Sequence, residues 1–340
     1  MRTTDFEYIL PSELIAQKPL VERVSSRLMV INRTTSKIEH RTFNEILDYL
    51  RAGDCLVVNE TKVRPARLLG NKTTGAAIEL LLLTEVEPDL WDVLCRPAKR
   101  LPIGSRLLFD NGLTAEIVDA GEAGKRTVKF HSDRPISKAI HEAGQVALPP
   151  YITEELKDSS RYQTVFASKP GSVAAPTAGL HFTDRLVAKI KDAGVSVAKV
   201  TLDIGLDTFR PIAAENIEDH IMHSESYEVT KEATETINKS RLSGGRVIAV
   251  GTTSVRVLES VASEHGDMQA ASGRTRLFIK PGYKFKIVDI MLTNFHLPKS
   301  SLLVLVSTFA GAGLVKRAYN EAIDERYRFY SFGDAMLLID

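Results

Sequence analysis

Between residues 54 and 150 the chain reads as closely spaced short strands. Apolar runs of 4–6 residues recur there: Cys55–Val58, Ile78–Leu83, Trp91–Cys95, Arg106–Phe109, Thr114–Val118 and Thr127–Phe130. Gly75, Pro88-Asp89, Pro102, Gly104 and Gly121 punctuate them. Segments this short, closed by turn formers, suit strands better than core helices. Asp110-Asn111-Gly112 between two such runs is a strong hairpin signal. Together they predict a small barrel or sandwich.

The flanking chain has a different texture. Residues 1–50 carry a strand at Leu28–Asn32 and an amphipathic helix on which Phe43, Ile46, Leu47 and Leu50 share a face. From about residue 160, strands and helices alternate. Thr183 caps a helix to Asp192 that stops at Gly194, and strand Val195–Ile204 follows. Helix Lys231–Leu242 ends at Gly244-Gly245, then come strand Arg246–Val250 and helix Thr253–Ala262. The last unit is strand Val288–Thr293, loop Asn294–Lys299 and helix Ser300–Phe309. Such alternation implies an α/β layer. The expected fold is α/β with an inserted all-β module. Residues 1–60 and 150–340 would form a discontinuous α/β catalytic domain, and 61–149 a β-barrel-like insert. A length of 340 residues fits two domains at roughly 150 each.

With 44% hydrophobic and 26% charged residues, the composition excludes disordered, collagen-like and disulfide-scaffold classes. No apolar run approaches the ~18 residues of a membrane helix, so no membrane association is expected. Cys55 and Cys95 each sit in an apolar run and the N-terminus shows no export signal, so a reducing, cytoplasmic setting is expected. The 44 basic and 43 acidic residues leave a formal charge of +1. Any nucleic-acid contact must therefore use a local patch. Lys62, Arg64 and Arg67 form one cluster, and Arg96, Lys99 and Arg100 another. They are either solvated loops or contacts that position an RNA backbone without reading its sequence.

Three strand–loop–helix junctions are rich in small and polar residues, where α/β sheets bind ligands. In Gly171–Thr183 the small residues let a ligand touch backbone, with Thr177, Gly179 and His181 beside a helix start. The plain alternative is a packed turn with His181 bonded to a carbonyl. In Ala249–Arg256, Thr252, Thr253, Ser254 and Arg256 suit a carboxylate or phosphate, unless they merely cap a helix. The segment is no Walker A loop, because the Gly-Lys pair is absent. In Thr293–Ser301, Asn294 and His296 end a strand and Lys299 opens a helix. His296 suits acid–base work near neutral pH, unless it too is part of a packed turn. Asp219–Glu225 carries His220 and His223, on one face if helical, but in no zinc-ligand spacing. Thr201–Arg210 carries Asp203 and Asp207, able to hold a cation or ribose hydroxyls or to cap a turn. No metal site is expected.

Further segments are Leu10-Pro-Ser-Glu-Leu-Ile-Ala-Gln17, Ser26-Arg-Leu28, Asn59–Arg67, Ala147–Ile152, Arg161-Tyr-Gln-Thr164 and Tyr327–Met336. With the three junctions, nine segments in order along the chain resemble the S-adenosylmethionine:tRNA ribosyltransferase-isomerase family of queuosine biosynthesis. The resemblance implies an α/β domain with an inserted barrel-like domain. It also implies transfer and isomerisation of the ribosyl group of S-adenosylmethionine onto 7-aminomethyl-7-deazaguanine at the tRNA wobble position. The products would be epoxyqueuosine-tRNA, adenine and methionine. S-adenosylmethionine is then a substrate, no further cofactor is expected, and tRNA is the partner through its anticodon region. The family usually reads Thr-Leu-His-Val-Gly-Leu-Gly-Thr-Phe where this chain has Thr201-Leu-Asp203-Ile-Gly205-Leu-Asp207-Thr-Phe209. A carboxylate at 203 is a weaker base unless burial raises it, although its charge favours a sulfonium.

The chemistry assigns expected roles. His181, His296 and Asp203 are the catalytic candidates. Thr252, Thr253, Ser254 and Arg256 would hold an anion such as the methionyl carboxylate. Asp203, Glu225 and Asp289 would face a cation or ribose, and Thr177, Gly179, Asn294 and Lys299 complete the substrate site. Lys62, Arg64, Arg96, Lys99 and Arg100 would meet tRNA. Two alternatives remain: a small-molecule S-adenosylmethionine enzyme that never touches RNA, and a tRNA-binding relative impaired in catalysis.

Overall fold

The structure is a computed structural model that describes residues 1–340 apart from Ala123, Leu206, Asp207 and Phe209. Asp207, a candidate above, therefore lies outside the described residues. The chain divides into two compact units, Met1–Lys62 with Pro149–Asp340, and Val63–Leu148. The first is an α/β layer and the second an all-β barrel, so the fold class is the expected one.

In the first unit the strands are β1 (Arg27–Asn32), β2 (Ile38–Thr42) and β3 (Cys55–Asn59), after which β4 (Thr61–Val63) leads out of it. The second unit holds β5 (Pro65–Lys72), β6 (Ala77–Glu87), β7 (Leu90–Arg96), β8 (Arg106–Phe109), β9 (Thr114–Ala120), β10 (Lys125–His131), α1 (Ile136–Ala143) and β11 (Gly144–Val146). The chain then returns through β12 (Lys169–Ser172), α2 (Asp184–Asp192), β13 (Ser196–Leu202), β14 (Glu225–Val229), α3 (Lys231–Leu242) and β15 (Val247–Val250). It ends with α4 (Gly251–Val261), β16 (Ala271–Thr275), β17 (Ile290–Asn294), α5 (Ser301–Ala310), α6 (Ala312–Asp324) and β18 (Ala335–Ile339).

The large sheet has the order β16-β14-β13-β3-β15-β17-β18-β1-β2. Strands β13, β3, β15 and β17 run parallel, and β18 is antiparallel to β17. β3, β15 and β17 are buried throughout, as strands covered on both faces must be. Alternate residues sort to the two faces. Cys55, Val57, Val247, Ala249 and Met291 pack in the cluster that includes Val255, Val257, Leu258 and Val304. Leu56, Val58, Ile248, Val250 and Leu292 pack with Phe43, Ile46, Leu186 and Ile190. One edge of the sheet thus collects the ends of β13, β3, β15 and β17 and, because β18 runs the other way, the approach to its start at Ala335. The segments that line the cleft described next sit at that edge.

The second unit closes on itself. Six strands run β5-β6-β7-β10-β9-β8, and β8 pairs back onto β5 through Gly70↔Phe109 and Lys72↔Leu107. Gly70 is needed there, since a Cβ would stand 2.4 Å from the Leu108 carbonyl oxygen. The β8–β9 turn is the expected one: Asn111 and Gly112 take φ of 61° and 75°, the left-handed pair of a tight hairpin.

The helix expected around Phe43 is a 3-10 helix over Phe43–Tyr49, with Leu50 just beyond its end. Phe43 and Ile46, three apart, form its buried face, and Thr42 and Glu45 close its start reciprocally. The two histidines after Asp219 are not on a helix, for a single 3-10 turn ends at Asp219 and β14 starts at Glu225.

Candidate active site

At the strand-end edge of the first unit a cleft of about 520 Å³ opens. Its walls come from Ala175–Ala178, Gly251–Thr253, Thr293–Leu297 and Tyr330-Ser331, joined by Tyr151, Ile204, Thr208 and Leu302. The three junctions singled out in the sequence therefore meet in one place.

α4 begins directly at the cleft. Gly251 has φ +86°, a conformation open mainly to glycine, and no side chain caps the helix. Its first N–H groups are left for a ligand. Thr252 and Thr253 are buried beside them, and the Thr253 hydroxyl has no partner among the described residues. Ser254 is a correction: its hydroxyl donates to the Val250 carbonyl at 2.8 Å within its own helix. Arg256 is another. It is 3% exposed and forms an ion pair with Glu225, so the two neutralise each other instead of facing separate ligand charges. Glu225 also accepts from His223 at 3.1 Å and from the Thr208 hydroxyl at 3.2 Å, which places it one residue behind the wall. Burial would raise its carboxyl, but the His223 hydrogen bond and the Arg256 charge hold it below the usual range.

β17 delivers Asn294 and His296. Asn294 donates to the Tyr330 carbonyl at 3.0 Å and to His181 Nε2 at 3.3 Å, while its Oδ1 has no partner among the described residues. With Nε2 accepting, the His181 proton sits on Nδ1 and is donated to Ser26 Oγ at 2.7 Å. His181 also stacks on Phe43, with ring centroids 4.9 Å apart. His296 Nε2 lies 2.8 Å from the Thr293 hydroxyl, and Tyr319 and Tyr8 clamp its backbone N–H and carbonyl. Burial first, then the Arg23 and Arg328 charges, push His181 down to about 3. Burial alone pushes His296 to about 3. Both rings are neutral near pH 7 and hold no proton ready for a leaving group.

Other candidates stand apart from the cleft. Asp289 precedes β17, at the end opposite Asn294, and accepts the Val247 N–H at 2.7 Å. The expectation that it faces substrate is corrected. Lys299 pairs with Glu7 at 2.7 Å. Gly179 is a packing position, where a Cβ would stand 2.9 Å from Thr164 Cγ2. Asp203 is not among the cleft-lining residues. Its Oδ1 accepts from Thr61 Oγ1 at 2.9 Å, and a Cβ on Gly171 would stand 2.4 Å from that oxygen. Tyr151, Thr208, Tyr330 and Ser331 were missed, and only Tyr330, with φ 71°, carries a local peculiarity. The described residues hold no group of three or more His, Cys, Asp or Glu arranged for a metal ion.

In the barrel unit, Arg96, Lys99 and Arg100 are exposed, as is Lys62 at the end of the first unit. Arg64 is a correction: it donates to the Leu82 and Leu83 carbonyls and lies 4.9 Å over the Trp91 ring, a role inside its own unit. Arg67 is likewise paired with Glu79 at 3.0 Å.

The family model described as queuosine biosynthesis protein matches residues 3–338. The chain belongs to this family of queuosine biosynthesis. Within it, the S-adenosylmethionine:tRNA ribosyltransferase-isomerase of Clostridioides difficile (strain 630) is 52% identical over 99% of this chain and 100% of its own. The enzyme of the same name from Thermoanaerobacter sp. (strain X514) is 52% identical over both full lengths. The crystal structure of the S-adenosylmethionine tRNA ribosyltransferase from Thermotoga maritima is 40% identical, covers 98% of this chain and all of its own, and superposes with a TM-score of 0.58. Family membership makes this chain an enzyme of the transferase-isomerase type. No helix among the described residues is by itself long and apolar enough to cross a membrane.

Proposed function

We propose that the cleft binds S-adenosylmethionine and that the enzyme passes its ribosyl group, with isomerisation, to 7-aminomethyl-7-deazaguanine at the wobble position of tRNA. Adenine and methionine leave, and epoxyqueuosine-tRNA remains. The observation that carries this reading is the uncapped start of α4, which faces a cleft of about 520 Å³ together with two orphaned buried oxygens, Thr253 Oγ1 and Asn294 Oδ1. Orphaned groups of this kind are costly unless a ligand uses them.

Thr177, Thr252, Thr253 and the first N–H groups of α4 then hold oxygens of the donor. Asn294 and His296 hydrogen-bond the reacting part from the β17 side. His296 works as a neutral imidazole that orients, and His181 fixes Asn294 from behind. Asp203 supplies negative charge one residue behind the Ile204 wall, which favours a sulfonium over a neutral analogue. Lys62, Arg96, Lys99 and Arg100 remain the candidates for phosphates around the anticodon. Cys55 and Cys95, both buried and free, suit a reducing cytoplasm.

Adenine release from S-adenosylmethionine, followed with and without tRNA bearing the aminomethyl-deazaguanine, tests the reading. Release that requires that tRNA is expected. Release with the free base alone would favour a small-molecule enzyme, and tRNA binding without release an impaired relative.

A further inference from the structure

Three of the segments that carried the family resemblance, Ser26-Arg27-Leu28, Arg161–Thr164 and Tyr327–Met336, also reach beyond the cleft. They meet with Pro19-Leu20 and Leu180-His181 around a second recess of about 330 Å³. Ser331 lines both this recess and the cleft, so the two share a wall.

The recess is cationic. Arg23 and Arg161 line it, and Arg328 adjoins it, donating to the carbonyl of Lys18 beside Pro19 and packing its own carbonyl against Gly333. None of the three has a carboxylate in ion-pair range among the described residues. Their donors go instead to carbonyls: Arg23 to Leu180 and Gln163, Arg161 to Leu20 and Val21, Arg328 to Lys18. Asp334 takes the Arg27 and Arg328 backbone N–H groups, and Asp158 takes the Ser160 N–H. Arg161 Nε and Arg328 Nη1 are buried with no partner among the described residues. Burial and mutual repulsion lower Arg23, and burial lowers Arg328. Beyond the carbonyls, only the Asp158 and Asp184 charges near Arg23 and the Asp334 charge near Arg328 offset these cations, none of them in ion-pair contact, and such partial compensation is costly in a recess.

We propose that Arg23, Arg161 and Arg328 form an oxyanion site beside the cleft, for a phosphodiester or carboxylate group of a substrate. Two sources of that group fit, a tRNA phosphate next to the wobble nucleoside or the methionyl carboxylate of the donor. This assignment of sources rests on the function proposed above, whereas the oxyanion site itself does not. Ser331 and His181, through Asn294, connect its occupancy to the cleft wall.

Inorganic phosphate titrated into the wild-type protein, at constant ionic strength with chloride, tests the site without turnover. A saturable rise in Tm is expected, together with movement of the His181 ring resonances. Binding should weaken about tenfold in R161Q and in R328Q, the loss of one charge-assisted contact. No saturable response in the wild type, or unchanged affinity in both variants, overturns the site. Steady-state adenine release then assigns the source. If KM for tRNA rises in R161Q and its salt dependence shallows, the group is a phosphate. If KM for S-adenosylmethionine rises and a decarboxylated donor is indifferent to the variant, it is the carboxylate. If adenine is never released but phosphate binds, the oxyanion site stands and the proposed function falls.

Discussion

The Asn294 amide lies 3.3 Å from His181 Nε2 and 3.0 Å from the Tyr330 carbonyl, so one side chain ties the end of β17 to the loops before α2 and β18. It also separates the two histidines by function. His296 lines the cleft, whereas His181 stands behind Asn294. His296→Ala removes a positioning hydrogen bond and is expected to slow adenine release by about 10²-fold. His181→Gln, which retains a hydrogen-bonding amide, should stay within about tenfold. Single-turnover rates with matched tRNA saturation would show it, and equal losses in the two variants would refute the division.

Both buried histidines make stability depend on pH. Each has a folded pKa of about 3 against 6.5 when unfolded. The unfolded chain binds the proton first, so this stability is complete above pH 6.5 and is lost as the pH falls toward 3. The slope is about 1.4 kcal/mol per pH unit for each ring. Urea midpoints at pH 7 and pH 5 should differ less in His296→Asn than in the wild type. Parallel pH profiles would mean that His296 is not buried neutral.

Arg256 and Glu225 are both almost fully buried. Arg256→Met leaves the carboxylate with His223 and Thr208 and is expected to cost about 3–5 kcal/mol, while Glu225→Gln/Arg256→Met together should cost less. Urea denaturation of the two proteins decides. A double variant as unstable as the single one would show that the ion pair is not the source of the loss.

Gly171 leaves room for the Asp203 carboxylate. Gly171→Ala would push that carboxylate off its Thr61 contact. The expected result is a loss of adenine release of at least about tenfold, with Tm nearly unchanged because a side-chain end can move. Full activity in this variant would remove Asp203 from the mechanism.

Much of this was legible in the chain. Short apolar runs with Asp110-Asn111-Gly112 announced the barrel, because turn chemistry is local. Thr183 and Gly194 bounded α2 for the same reason. The junctions were found because small residues beside strand ends leave a mark in the sequence. What stayed hidden depended on partners distant in sequence. Nothing about Arg256 discloses Glu225, and nothing about Arg64 discloses the Leu82 and Leu83 carbonyls. Asp289 lies only five residues before Asn294, yet the strand between them puts the two at opposite ends.

Arg96, Lys99 and Arg100 are exposed and none has an acidic partner among the described residues. If they meet RNA phosphates, replacing each by Gln should reduce the slope of log KM for tRNA against log salt by about one. KM for S-adenosylmethionine should not move. A slope unchanged in the triple variant would assign the RNA contacts elsewhere.

The β5–β11 pairing places Pro65 opposite Val146, so the first and last strands of the second unit run side by side. A module whose ends already meet asks little more of its host than a short surface turn would. The barrel can therefore be gained, lost or exchanged as a cassette while the host sheet keeps its order. Such an exchange would leave untouched the residues that line the cleft.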